Sequence, residues 1–173
     1  MVNDPDYPNR RQRRMEKLHI DEVDAPITSL IENLCDFNFC YTIQSCFGHF
    51  LYVGQENPKH IGPLPSAGQI TSVKYRIGYM AFCIENSRLG YEFMHLLQQI
   101  PEIDPNYIQL GCAEWFWERD RNSYVLQVEP VCYKQSDHCT VDLKEAHHIE
   151  KVRNKFYDHL ITMVSTINLP SSG

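Results

Sequence analysis

The residues best equipped for chemistry in this sequence fall together at positions 44–49, Gln44-Ser45-Cys46-Phe47-Gly48-His49. A thiol, a hydroxyl and an imidazole within six residues supply a nucleophile, a hydrogen-bonding group and a titratable ring. The glycine among them lets the backbone take a positive φ and lets a ligand approach main-chain N–H groups. Three chemistries compete for the segment. As a catalytic pair, Cys46 would act as a thiolate promoted by a protonated His49, although the sequence names no third residue to orient the ring. As a metal site, Cys46 and His49 have a C-x-x-H spacing, with His60 or the run Asp137-His138-Cys139 as further ligands. As a binding turn, the N–H groups, the Ser45 hydroxyl, Gln44 and Gly48 would hold an anionic or carboxylate-bearing ligand. The third reading asks least of unseen geometry, so the expectation is ligand binding without metal. The plain structural alternative is a tight turn with a buried cysteine and a partly exposed histidine. Arg76 and Tyr79, on opposite faces of one strand by its alternation, are added as ligand-contact candidates.

Such a turn needs a strand to deliver it. In residues 40–46, Tyr41 and Ile43 alternate with Thr42 and Gln44, as in a half-buried strand ending at Ser45 and Cys46. Before it, apolar residues at 27, 30, 31 and 34 keep helical spacing, with Pro26 suited to the first turn. After it, a short apolar piece at 50–53 leads into residues 54–72, where Pro58, Pro63, Pro65, Gly54, Gly62 and Gly68 predict a long loop that would serve as a lid. Residues 74–84 read as one strand, followed by a helix capped at Asn86 or Ser87 and closed by Pro101. Residues 107–117 and 123–131 should pair as a hairpin across the polar turn 118–122, with Trp115, Phe116 and Trp117 covering a sheet. The clearest element is the last: Ile149, Val152, Phe156, Leu160, Met163 and Ile167 form one stripe on a helix of about six turns. Asp142 and Glu145 resemble its capping box.

Composition bounds these readings. The chain has 173 residues, 43% of them hydrophobic and 22% charged, which predicts a single globular domain. Its net charge of −6 argues against a nucleic-acid partner, despite the basic run Arg10, Arg11, Arg13 and Arg14. No apolar stretch of about 18 residues predicts a membrane span, and the polar first 14 residues do not resemble a secretory signal. Seven cysteines with no C-x-x-C pair suggest reduced thiols, so the expected location is cytoplasmic.

A strand ending in Ser45-Cys46-x-Gly48, after an amphipathic helix and before an aromatic strand and a helix, resembles the wybutosine-synthesis methyltransferase family. Members of that family carry Ser-Ser-Cys-Ser-Gly-Arg at this place, where the present chain has Gln44, Phe47 and His49 at the three differing positions. The likeness in element order runs from residue 27 to about 131. It implies a related fold with its site near this turn, S-adenosylmethionine as cofactor and a modified guanosine of transfer RNA as substrate.

The expectation is therefore an α+β fold, with an antiparallel or mixed sheet of about four to five strands packed with helices. Residues 1–26 form a partly flexible N-terminal arm and 27–170 a single domain. The expected function is binding of a small-molecule or nucleotide ligand, extending to a transferase-type enzyme, with Cys46 and His49 as catalytic residues and Gln44, Ser45, Gly48, Arg76 and Tyr79 as ligand contacts. The alternatives are a non-enzymatic oligomeric interaction module, built as a homo-oligomer, and a metal-binding protein using Cys46 and His49.

Overall fold

The chain alternates helices and strands without the regular β-α-β order of a parallel sheet, and every strand pairing among the described residues is antiparallel. A computed structural model describes residues 1–66, 70–112, 120–131 and 137–167. Among these, helix α1 (Tyr7–Glu16) and helix α2 (Thr28–Cys35) precede strands β1 (Cys40–Cys46) and β2 (His49–Leu51). Strands β3 (Val73–Arg76) and β4 (Gly78–Ile84) lead to helix α3 (Arg88–Gln99). Strands β5 (Ile108–Cys112), β6 (Ser123–Val128) and β7 (His138–Val141) then precede the long helix α4 (Leu143–Thr166). The result is an α+β fold with two antiparallel sheets, ordered β1-β4-β6-β5 and β2-β3-β7.

The residues expected to form one strand at 74–84 are broken at Ile77, and the break makes two sheets out of one ribbon. Cys46 pairs with Tyr79 in the first sheet and His49 with Arg76 in the second. The ribbon bends between these pairs, where its two chains approach closely. A Cβ on Gly78 would lie 2.7 Å from the Phe47 carbonyl oxygen, and one on Gly48 would lie 2.9 Å from the Gly78 nitrogen. Gly48 also has φ +93°, a conformation that side chains disfavour.

The core lies between the sheets and α2, α3 and α4. Ile149, Val152, Phe156, Leu160 and Met163 are all buried, as the apolar stripe predicts. Burial of that stripe is what holds a helix of this length in place. The Asp142 side chain accepts from the Glu145 N–H at 2.8 Å, and Ser87 from the Gly90 N–H at 3.2 Å, so both residues cap their helices, while Glu145 Oε1 accepts from the Tyr107 hydroxyl at 2.5 Å. On the opposite face of the first sheet, Tyr7 of α1 packs on Tyr41 and Cys83, with the two tyrosine rings 5.5 Å apart.

Within the arm, the arginines are used to fasten it. Arg11 donates to the Phe37 and Cys35 carbonyls at 3.0 and 2.6 Å, while Arg10 and Arg14 lie 3.5 and 3.6 Å from Asp120. The loop at 54–72 contains no helix or strand among its described residues. It is pinned to α4, where Glu150 accepts from the Leu64 N–H at 2.9 Å and His147 Nε2 donates to the Pro65 carbonyl at 3.1 Å. β5 and β6 pair as expected, but the aromatic run 115–117 lies outside the described residues. The six described cysteines are free thiols, and no described helix is long and apolar enough to cross a membrane.

Candidate functional site

The bend between β1 and β2 carries Cys46 and His49 into the interior, where they are 5% and 3% exposed. The histidine is therefore not the partly exposed residue of a simple surface turn. Two residues of α4 hold the bend in place. Tyr157 donates its hydroxyl to the Cys46 carbonyl at 2.5 Å, and Arg153 donates Nη1–H to the Gly48 carbonyl at 2.9 Å. The same guanidinium lies 4.2 Å from the Phe47 ring centroid and 5.1 Å from that of Phe50, a doubled cation–π contact around the turn.

Asp24, just before the short 3-10 turn at 25–27, supplies the orienting residue that sequence reasoning could not name. His49 Nε2 donates to Asp24 Oδ2 at 3.1 Å, and the Phe47 N–H donates to the same oxygen at 2.8 Å. His49 Nδ1 donates to the His60 carbonyl at 3.2 Å, so the long loop contributes a backbone group and not its imidazole. One ligand-type atom from each of Asp24, Cys46 and His49 lies within 4.8 Å of the others.

These contacts fix the protonation of the ring. Both nitrogens face acceptors, a carbonyl and a carboxylate, so both must carry a proton and the ring is an imidazolium. The hydrogen bond to Asp24, followed by one with Cys46, lifts His49 to about 10, and burial opposes this without reversing it. Burial alone would push the Asp24 carboxyl up, but its hydrogen bonds with His49 and the Phe47 N–H hold it below the ordinary value. A ring in this state has no free lone pair, so it acts as a cation and hydrogen-bond donor and cannot accept the Cys46 thiol proton as a base.

The remaining candidates separate into two groups. Tyr79 donates to Gln44 Oε1 at 3.2 Å, and burial, then Cys46, pushes its hydroxyl up to about 12. Arg76 is exposed on β3, and its charge helps to lower Asp24 and Tyr79. Gln44 and Ser45 face a cavity of about 230 Å³ between β1 and the arm, which Arg14, Lys17, His19 and Glu22 also line. Gly48 makes the bend and is not among the residues lining that cavity. His138 and Cys139 belong to β7, where they pair with Arg76 and Tyr75 across the second sheet. They do not join the Asp24-Cys46-His49 cluster among the described residues.

Sequence reasoning missed Asp24, Arg153 and Tyr157. The last two could have been suspected from their places beside Val152 and Phe156 on the buried stripe. A proline-flanked aspartate in a polar arm carries no periodic signal.

No family model matches the sequence. No curated protein matches it either. Among solved structures, the chain is similar in fold to the PH1069 protein from Pyrococcus horikoshii, with a TM-score of 0.51 and 13% sequence identity over 94% of this chain and 95% of that one. At that identity the likeness concerns the arrangement of elements alone.

Proposed function

We propose that the protein binds a small-molecule or nucleotide ligand carrying negative charge in the cavity between α1 and β1, and that it is a transferase-type enzyme related to the transfer-RNA-modifying methyltransferases. The observation that carries the reading is the cavity, which joins Gln44 and Ser45 to Arg14, Lys17 and His19, together with the acidic Glu22. A concave site with a few convergent polar groups is where a small ligand is best held. Gln44 in that lining accepts from the Tyr79 hydroxyl at 3.2 Å, so one of its polar groups is already oriented. The Ser45-Cys46-x-Gly48 resemblance adds S-adenosylmethionine as the cofactor to test first. In this reading His49 contributes positive charge and orientation.

Thermal-shift screening of the full chain against S-adenosylmethionine, S-adenosylhomocysteine, nucleotides and inorganic phosphate tests the proposal. Ligand at about a hundred times its Kd stabilises the folded state by about 2.7 kcal/mol. For a chain of this size that is a rise in Tm of about 5 to 10 °C. Lys17→Glu should abolish the rise. A panel that leaves Tm unmoved, or a ligand that shifts Lys17→Glu as far as the native chain, would refute the pocket.

A further inference from the structure

We infer that Asp24, Cys46 and His49 form a binding site for one divalent transition-metal ion of the zinc class. The three side chains come from three separate segments: the arm, the end of β1 and the start of β2. Their ligand-type atoms already lie within 4.8 Å of one another. Around a tetrahedral zinc, with bonds of about 2.0 to 2.3 Å, neighbouring ligand atoms stand about 3 to 4 Å apart. Small side-chain movements close the difference, and His49 Nε2 and Asp24 Oδ2 are already at 3.1 Å.

The surroundings match what such an ion requires. A metal-binding imidazole is normally held by its other nitrogen, which donates to a carbonyl or carboxylate. His49 Nδ1 does this with the His60 carbonyl at 3.2 Å, leaving Nε2 aimed at Asp24. The Phe47 N–H steadies the carboxylate, and Tyr157 fixes the Cys46 backbone. Thiolate with imidazole selects zinc-like ions over magnesium or calcium, which prefer all-oxygen shells. Binding replaces the proton on Nε2 and the thiol proton of Cys46 with one doubly charged ion. The buried cluster then keeps the same net charge, so a divalent ion enters without leaving a new charge uncompensated. Three protein ligands leave a fourth position for water or a ligand atom, as in zinc sites that take part in chemistry. The inference stands apart from the proposed pocket, since either can hold without the other.

The test is titration of the chelator-stripped full chain with Co²⁺, followed by displacement with Zn²⁺. One equivalent of Co²⁺ should produce a thiolate-to-cobalt charge-transfer band that Zn²⁺ removes. Cys46→Ser should lose the band, whereas Cys112→Ser, at an exposed thiol on β5, should keep it. Asp24→Asn preserves the side chain's size and guards against a Cys46 variant that fails to fold. It should weaken Co²⁺ binding at least about tenfold, since even outer-shell partners are worth that much. Absence of a saturable band in the native chain, its survival in Cys46→Ser, or native affinity in Asp24→Asn would each overturn the site.

Discussion

Replacing Gly48 with alanine tests whether the bend that brings Cys46 to His49 is set by contact between two backbones. Two different costs apply at this position, and the chain contains a control that separates them. Gly48 and Gly54 have nearly the same φ, +93° and +92°. For an L-residue that conformation costs about 1 to 2 kcal/mol. Loss of glycine's freedom in the unfolded chain returns about 0.4 to 1 kcal/mol. Gly54→Ala should therefore cost about 1 kcal/mol or less, because nothing lies within 4 Å of its added Cβ. At Gly48 the Cβ would lie 2.9 Å from the Gly78 nitrogen and 3.0 Å from its Cα. That backbone is not free to retreat, because Gly78 donates its N–H to the Tyr75 hydroxyl at 2.8 Å, and Tyr75 donates onward to the Val128 carbonyl at 3.0 Å. Overpacking of this kind adds about 1 to 3 kcal/mol. Gly48→Ala should thus lose about 1 to 4 kcal/mol in urea denaturation, with a fall in Tm of about 2 to 16 °C. Equal losses for the two variants would show that φ alone matters and that the two chains do not press on each other at the bend.

Three further outcomes are expected. Phe156→Ala, at a fully buried ring set edge-on to Tyr157 with centroids 4.8 Å apart, should cost about 3 to 5 kcal/mol in the same assay; a loss below 1 kcal/mol would contradict the packing of α4. In chelator, the stability gap between the native chain and His49→Gln should depend on pH in a definite direction. His49 is raised from 6.5 to about 10, so its share, shaped by Asp24, Cys46 and, through Asp24, Arg76, is complete below pH 6.5 and fades as the pH climbs through 10. Asp24 is depressed, so its share is lost only as the pH falls below its ordinary 3.8; a gap that widens between pH 6.5 and 10 would contradict the imidazolium. Glu150→Ala removes the acceptor for the Leu64 N–H, and a hydrogen bond to a charged group is worth about 1.5 to 3 kcal/mol, so exchange of that amide should quicken about 10- to 100-fold; unchanged protection would mean the loop is held by other contacts.

Helices with an apolar stripe could be read from spacing, because their register is dictated by the core they cover. That is why α4 and its Asp142 cap were legible, and why α3 was recognisable from Ser87 onward. α1 was not, because Tyr7 is its sole buried residue and the rest of the helix is polar. Its place is set by guanidinium contacts with Asp120 and with the carbonyls of residues 35 and 37, partners that no periodicity announces. Nor does composition show the break at Ile77. Tyr75 and Tyr79 continue the alternation across it, and the bend lies where the Phe47 carbonyl comes too close to Gly78 for a side chain there, an approach between residues 31 positions apart. β7 was overlooked for its length, since four residues of alternating burial beside a long helix barely register as a strand.

At the site, the legible part was the local part. Cys46, Gly48 and His49 lie within four residues, so the motif itself places the thiol and the ring near one another, although Tyr157 and Arg153 of α4 hold the bend. The protonation of that ring depends on residues far from the motif. The His60 carbonyl arrives from a loop that α4 secures at Leu64 and Pro65, and Asp24 arrives from the arm that Arg11 ties to the end of α2. With one of these acceptors missing, His49 would keep a free lone pair and the segment would suit the nucleophile–base pair that its residue types suggest. With both in place the ring is a cation held between fixed oxygens, so the chemistry of this turn is decided by how the arm and the loop pack.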